Sequence, residues 1–165
     1  NVYGRNNVDR LQFNERLGLG YLLFRFLEAI TILVGIVSVL ALLTLSQSYN
    51  SQAAPNIAAY ETAGIMLKAI HDWTFILGPN FLLGINTFIY SYVFFRTGFV
   101  PKPLAIHGLT GAVLIFTAGL LEMFGIIAQL SIAGGLLALP VATFEMILAV
   151  WLIVKGFNLE YLRKP

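Results

Sequence analysis

His71, Asp72 and Trp73 stand side by side in the stretch AIHDWTFILGPN, and Gly78, Pro79 and Asn80 follow inside the same apolar run. A histidine beside a carboxylate is the raw material of general acid–base work near neutral pH. Neighbouring helical residues point in different directions, however, so the pair is not a ready-made dyad. Arg25, Glu28, Glu122 and Glu145, together with Asn86, interrupt other apolar runs. A charge at the centre of a bilayer costs about 2.5–3.5 kcal/mol on insertion scales, so such groups turn toward a bundle interior and mark ligand, ion or proton paths.

Helical spacing gathers these residues. Gly18, Tyr21, Arg25, Glu28, Thr31, Gly35 and Ser38 follow steps of three and four, as do Gly111, Ala118, Glu122, Gly125 and Gln129. Gly135, Ala138, Ala142, Glu145, Ala149 and Gly156 form a third such stripe. Small residues let membrane helices approach closely, so each carboxylate is expected on its helix's packing face. Depth, at about 1.5 Å per residue, sorts them into two candidate sites. The intramembrane polar site comprises Arg25, Glu28 and Glu145; the outer polar site comprises His71, Asp72, Asn80 and Glu122. Plainer roles stand beside these: Arg25 snorkelling to headgroups, Glu122 and Glu145 as neutral acids in packing, and His71 with Asp72 as a surface cap.

These residues have to be positioned by helices in lipid. The 165 residues are 58% hydrophobic and 11% charged, with a mean hydropathy of +0.82. A soluble domain carries about 25% charged residues, and a chain this short could not hide so much apolar area from water. An all-α polytopic membrane bundle is expected, with spans at about 17–46, 70–95, 104–129 and 136–155. Each holds about the 20 apolar residues a helix needs to cross a bilayer. The runs do not alternate as barrel strands do. Residues 47–68 read as a polar connection that becomes helix-compatible from Ile57, RTGFVPKP at 96–103 as a tight turn, and LSIAGG at 130–135 as a short loop. Pro79 and Pro140 are expected to kink their helices.

Charge placement sets the orientation. With the N-terminus cytoplasmic, Arg5, Arg10, Arg16, Arg96, Lys102, Lys155, Arg163 and Lys164 share one side, and Lys68 stands on the other. The expected layout is a cytoplasmic segment at 1–16, a transmembrane domain at 17–155 and a cytoplasmic tail at 156–165. His71 and Asp72 then face outward, with Trp73 as an interfacial anchor. The chain opens on Asn1 rather than methionine, so a fragment or processed product is expected. There is no cysteine, no nucleotide loop, no H-E-x-x-H motif and no nucleic-acid patch. No metal site or cofactor is therefore expected, and the expected partners are the bilayer and a homo-oligomer or larger membrane complex.

RFLEAITILVGIVSVLALLTL, LKAIHDWTFILGPNFLLGINTFIYSYVFFRTGFVPK and FEMILAVWLIVKGFN together resemble the bacterial membrane family known as domain of unknown function 4386. The resemblance covers about residues 12–158 and marks Arg25, Glu28, His71, Asp72, Trp73, Pro79 and Glu145. His107 falls outside the pattern. It implies a six-helix architecture whose first two helices are absent here, and a bacterial inner-membrane location. It implies no activity.

Three functions follow as expectations. The first is a bundle that binds or moves a small molecule, ion or proton through the polar interior. The second is a structural or accessory subunit of a membrane complex. The third is an intramembrane enzyme using His71 as base with Asp72 or Glu122. His71 and His107 belong to opposite ends of different helices, too far apart to share a haem iron; a single histidine on a pigment or haem stays open.

Overall fold

The computed structural model describes residues 2–158, with side-chain surroundings from residue 15 onward. Within them the regular structure is all helical, with no strand. The segments expected as a cytoplasmic tail beyond Asn158, including Arg163 and Lys164, lie outside the described residues, as do the side chains of Arg5 and Arg10.

No proline interrupts the chain before Pro55, and α1 (Val2–Ser51) runs 50 residues unbroken, about 75 Å at helical rise. Pro55 bars its continuation, and Asn56 starts α2 (Ile57–Phe75) by accepting from Ala59 N at 3.3 Å through its side chain. The connection expected at 47–68 is therefore only residues 52–56. Beyond Phe75 the helix does not stop. It widens into a π-helical segment (Ile76–Leu82) and continues as α3 (Leu83–Thr97), with right-handed helical dihedrals at both junctions.

Pro79 accounts for the widening. A proline in an α-helix lacks the amide for its own hydrogen bond, and its ring collides with the carbonyl four residues earlier. A wider turn relieves the collision, and Leu83 N donates to Gly78 O, the five-residue step of a π-helix. The expected kink at Pro79 is thus a π-helical insertion in a rod running from Ile57 to Thr97. The second proline, Pro140, sits inside an unbroken helix, α5 (Ile132–Val154).

Gly98, at φ 70°, ends α3, and Pro101 leads directly into α4 (Lys102–Met123). The third expected span stops earlier than the apolar pattern suggested. Gly125 takes φ 67°, its amide bonds Glu122 O at 3.0 Å, and Ile126 N bonds Leu121 O at 2.8 Å. Those bonds satisfy the last carbonyls of α4, so Ile126 and Ile127, apolar as they are, belong to a turn. Ser131 then caps α5, accepting from Gly134 N at 3.2 Å, so the helix expected from about 136 begins at Ile132.

The helices pack in chain order: α1 on the long rod, the rod on α4, and α4 on α5. Close approaches show that each neighbour runs antiparallel. Thr31 of α1 meets Gly78 and Thr74 of α2 meets Gly35, where an added Cβ would stand only 2.6 and 2.8 Å from the threonine hydroxyl. At Gly111 the added Cβ would lie 2.8 Å from the backbone nitrogen of Val141, so α4 and α5 touch backbone to backbone.

The burial pattern is inverted relative to a water-soluble protein. Glu28, Ser38, Asn80, Asn86, Thr87 and Ser91 are buried, while Leu22, Phe26, Leu33, Val37 and Leu40 of α1 point outward. An apolar core does exist, around Val100, Leu104, Ala105 and Phe144, at the end of the bundle near the Gly98 turn. Among the described residues three helices are long and apolar enough to cross a membrane: the Glu15–Ser51 part of α1, α4 and α5.

Candidate functional site

The intramembrane group assembles around Glu28, which is 6% exposed. Arg25, one turn earlier, places Nη1 at 3.0 Å from each carboxylate oxygen. From α3, Asn86 Nδ2 donates to Glu28 Oε2 at 2.6 Å. A buried carboxylate is tolerable only when it is paired and its lone pairs are occupied, and both conditions hold. Glu145 of α5 lies within electrostatic reach of Arg25 and Glu28. The Tyr90 hydroxyl is within hydrogen-bonding reach of its carboxylate, and Glu145 makes no ion pair among the described residues.

Glu145 occupies an unusual position. It borders a cavity of about 460 Å³ together with Tyr21 and Arg25 of α1, Tyr90 and Phe94 of α3, and Leu148, Ala149 and Leu152 of its own helix. It also borders a second cavity of about 430 Å³, whose polar lining is Asn80, Glu122, Gln129 and Ser131. The small-residue stripe of α5 explains how. Gly135, Ala138, Ala142 and Ala149 line these cavities, while α5 packs on α4 through Gly134, Val141 and Phe144. The stripe expected to be a packing face is a cavity wall.

The four residues of the outer group divide. Asn80, held on the π-helical segment, donates from Nδ2 to Glu122 Oε2 at 2.7 Å. Gly134 leaves room for that carboxylate, since an added Cβ would stand 3.0 Å from Glu122 Oε1. His71 turns the other way, toward α1, with Nδ1 3.4 Å from Gly35 O and its ring tilted against Phe75. The Asp72 carboxylate pairs with Lys68 on the outer face of the same helix. Its backbone carbonyl accepts from Gln129 Nε2 at 3.3 Å. His71, Asp72 and Glu122 thus share no side-chain contact, and this geometry holds no acid–base pair. Trp73 is half exposed, as an interfacial ring would be. His107 Nε2 lies 3.0 Å from Thr143 Oγ1 and its ring meets the edge of Phe144. Among the described residues no group of three or more His, Asp or Glu side chains could hold a metal ion.

Tyr90 is the site residue that spacing analysis passed over. It stands one turn after Asn86, packs edge-to-face on Tyr21 at 5.9 Å and stacks on Phe144 at 5.8 Å. The four-residue step from Asn86 to Tyr90 repeats the step from Tyr21 to Arg25 on the opposite wall.

The family described as domain of unknown function 4386 matches residues 11–156. The chain belongs to that family. The matched region contains every residue of both cavities. No curated protein and no solved structure matches the chain. In this member of the domain of unknown function 4386 family, the two cavities bordered by Glu145 hold the polar side chains that could do chemistry.

Proposed function

We propose that this chain is a multi-pass protein of the bacterial inner membrane that binds or moves a small molecule, ion or proton through its polar interior. The rod from Ile57 to Thr97 serves as the fourth span, its apolar stretch running from Trp73 to Phe95. Both ends of the chain lie on the cytoplasmic side, as the distribution of Lys and Arg favours.

One observation carries this reading: Glu145 faces two cavities and has no ion-pair partner among the described residues. Glu28 already uses Arg25, whereas Glu145 has the Tyr90 hydroxyl beside it but no counter-charge of its own. A carboxylate at membrane depth with such freedom is the usual mark of a translocation or binding path. The test is reconstitution of the full chain in liposomes with an internal pH dye and an imposed proton or solute gradient. Flux above empty liposomes that falls in Glu145→Gln supports the reading. Flux and ligand binding indistinguishable from empty liposomes refute it.

A second reading has one observation in its favour. The Glu145–Ala149 part of the α5 stripe faces the open cleft toward Tyr21 and Arg25 of α1 instead of packing on a helix, which suits an accessory subunit whose partner supplies the missing wall. A complex recovered intact in mild detergent, with crosslinks to Ala149, favours that reading.

A further inference from the structure

The cleft bounded by Tyr21, Arg25, Tyr90, Phe94, Glu145 and Leu152 carries opposite charges on facing walls. Only Nη1 of Arg25 is engaged, by Glu28; its Nε and Nη2 make no hydrogen bond among the described residues. The Arg25 side chain is 46% exposed, so its unused edge is accessible, while the buried Glu28 is sealed behind it. On the other wall Glu145 has no ion pair. Two planar forks, one donating and one accepting, thus border a single space of about 460 Å³.

The chemistry of an occupant follows by elimination. A purely cationic ligand satisfies Glu145 but leaves the free Nε and Nη2 edge of Arg25 without an acceptor; a purely anionic ligand does the reverse. A neutral ligand leaves Glu145 without a counter-charge, while Arg25 keeps its ion pair with Glu28. A zwitterion satisfies both, its anion taking hydrogen bonds from the guanidinium and its ammonium meeting the carboxylate.

The remaining walls show where such a ligand comes from. Phe94, Leu148, Ala149 and Leu152 are apolar, and the cleft lies between α1 and α5, the two outermost helices of the packing order. Phe94 and Leu152 lie near the ends of their helices, two residues before Arg96 and three before Lys155. The cleft therefore starts at the level of the headgroups and is flanked by surfaces that suit acyl chains.

We propose that this cleft binds a phospholipid-type zwitterion, with the phosphate on Arg25 and the ammonium on Glu145. The inference rests on the binding reading above and gives it a ligand class. A membrane lipid and a soluble phospho-ammonium compound present the same headgroup, and the geometry of the apolar walls favours the lipid.

The experiment measures binding to the detergent-solubilised full chain by native mass spectrometry. The probes are phosphatidylethanolamine, phosphatidylcholine, phosphatidylglycerol and the soluble glycerophosphoethanolamine. The wild type is expected to prefer a zwitterionic lipid over phosphatidylglycerol by about tenfold, the equivalent of one good charged contact. Glu145→Gln, nearly isosteric, is expected to bring that ratio to about one, and Arg25→Gln to weaken all the phospholipids. Binding of the soluble compound as tight as the lipid's keeps the headgroup chemistry and moves its source to water. Equal affinity for phosphatidylglycerol in the wild type, or an undiminished preference in Glu145→Gln, overturns the proposal. If that preference is absent while Glu145-dependent flux persists, only the ligand class falls; if both are absent, the binding reading falls with it.

Discussion

Asn86 of α3 donates a 2.6 Å hydrogen bond to Glu28 of α1, joining residues 58 positions apart. Both side chains are buried, and the carboxylate they share with Arg25 is the polar centre of the bundle. In lipid, apolar side chains gain nothing by leaving one apolar phase for another, so packing and interhelical hydrogen bonds hold helices together. This bond is one of the ties between α1 and the rest of the molecule, alongside the threonine–glycine contacts at Gly35 and Gly78.

A double-mutant cycle measures that tie. Glu28→Gln and Asn86→Ala are each expected to lower stability, and together to lower it by less than the sum. Polar contacts between membrane helices couple by about 0.6 kcal/mol on average and by up to about 1.7. A charge-assisted bond of this length belongs at the upper end, so a coupling of about 1.5 kcal/mol is expected. Reversible unfolding in mixed micelles supplies the four stabilities; strict additivity would show the contact to be energetically idle.

The backbone contact at Gly111 gives a steric prediction. A methyl group there would lie 2.8 Å from Val141 N and 2.9 Å from its Cα, and backbone cannot rotate away as a side chain can. Gly111→Ala is expected to separate α4 from α5 and lower stability by about 1–3 kcal/mol, the usual range for overpacking. Gly135→Ala serves as the comparison, because nothing lies within 4 Å of a Cβ there. Thermal denaturation in detergent should distinguish the two; equal melting points would contradict the close approach.

Much of this arrangement was legible in the residues. An unbroken apolar run needs no partner strand to be read as helix, so the helical class and the apolar segments were plain. The polar stripe on α1 from Glu28 to Ser38 faces the bundle, as its spacing implied. The end of α4 was not legible, because Gly125 stops the helix in its left-handed turn while Ile126 and Ile127 keep the composition apolar. Nor was the division of the outer group. Spacing places His71, Asp72, Asn80 and Glu122 near one depth, but rotation about the helix axis sends His71 to α1, Asp72 to Lys68 and Asn80 to α4. The π-helical segment adds to that rotation, and no pattern in the sequence announces its extent. On α5 the small residues suggested a packing face, yet the larger Val141 and Phe144 make the contact, because Gly108 and Gly111 on α4 provide the space.

Topology is open to direct labelling because the chain has no cysteine. Gln52 lies in the connection after α1, and Lys102 at the start of α4, on either side of the long rod. If the rod crosses the bilayer, Gln52→Cys is expected to react with a membrane-impermeant maleimide added to intact cells. Lys102→Cys should then react only after permeabilisation. Labelling of both from the same side would mean the rod does not span, and the proposed orientation would be lost with it.

The π-helical segment raises the question of what holds it in place. Relaxing it to a regular α-helix would turn α3 against α2 by about 100° per residue of register. That rotation would carry Asn86 away from Glu28 and break the fit of α3 against α4, where Gly84 meets Ala112 O. These contacts, and not the proline alone, should therefore keep the wide turn. Pro79→Ala restores one amide, worth about 1 kcal/mol if it finds an acceptor, and leaves the neighbouring contacts intact. It is expected to change stability by no more than about that amount and to retain the Glu28–Asn86 coupling. Repeating the double-mutant cycle in the Pro79→Ala background is the measurement. A coupling that vanishes there would make the proline itself the element that sets the register of α3.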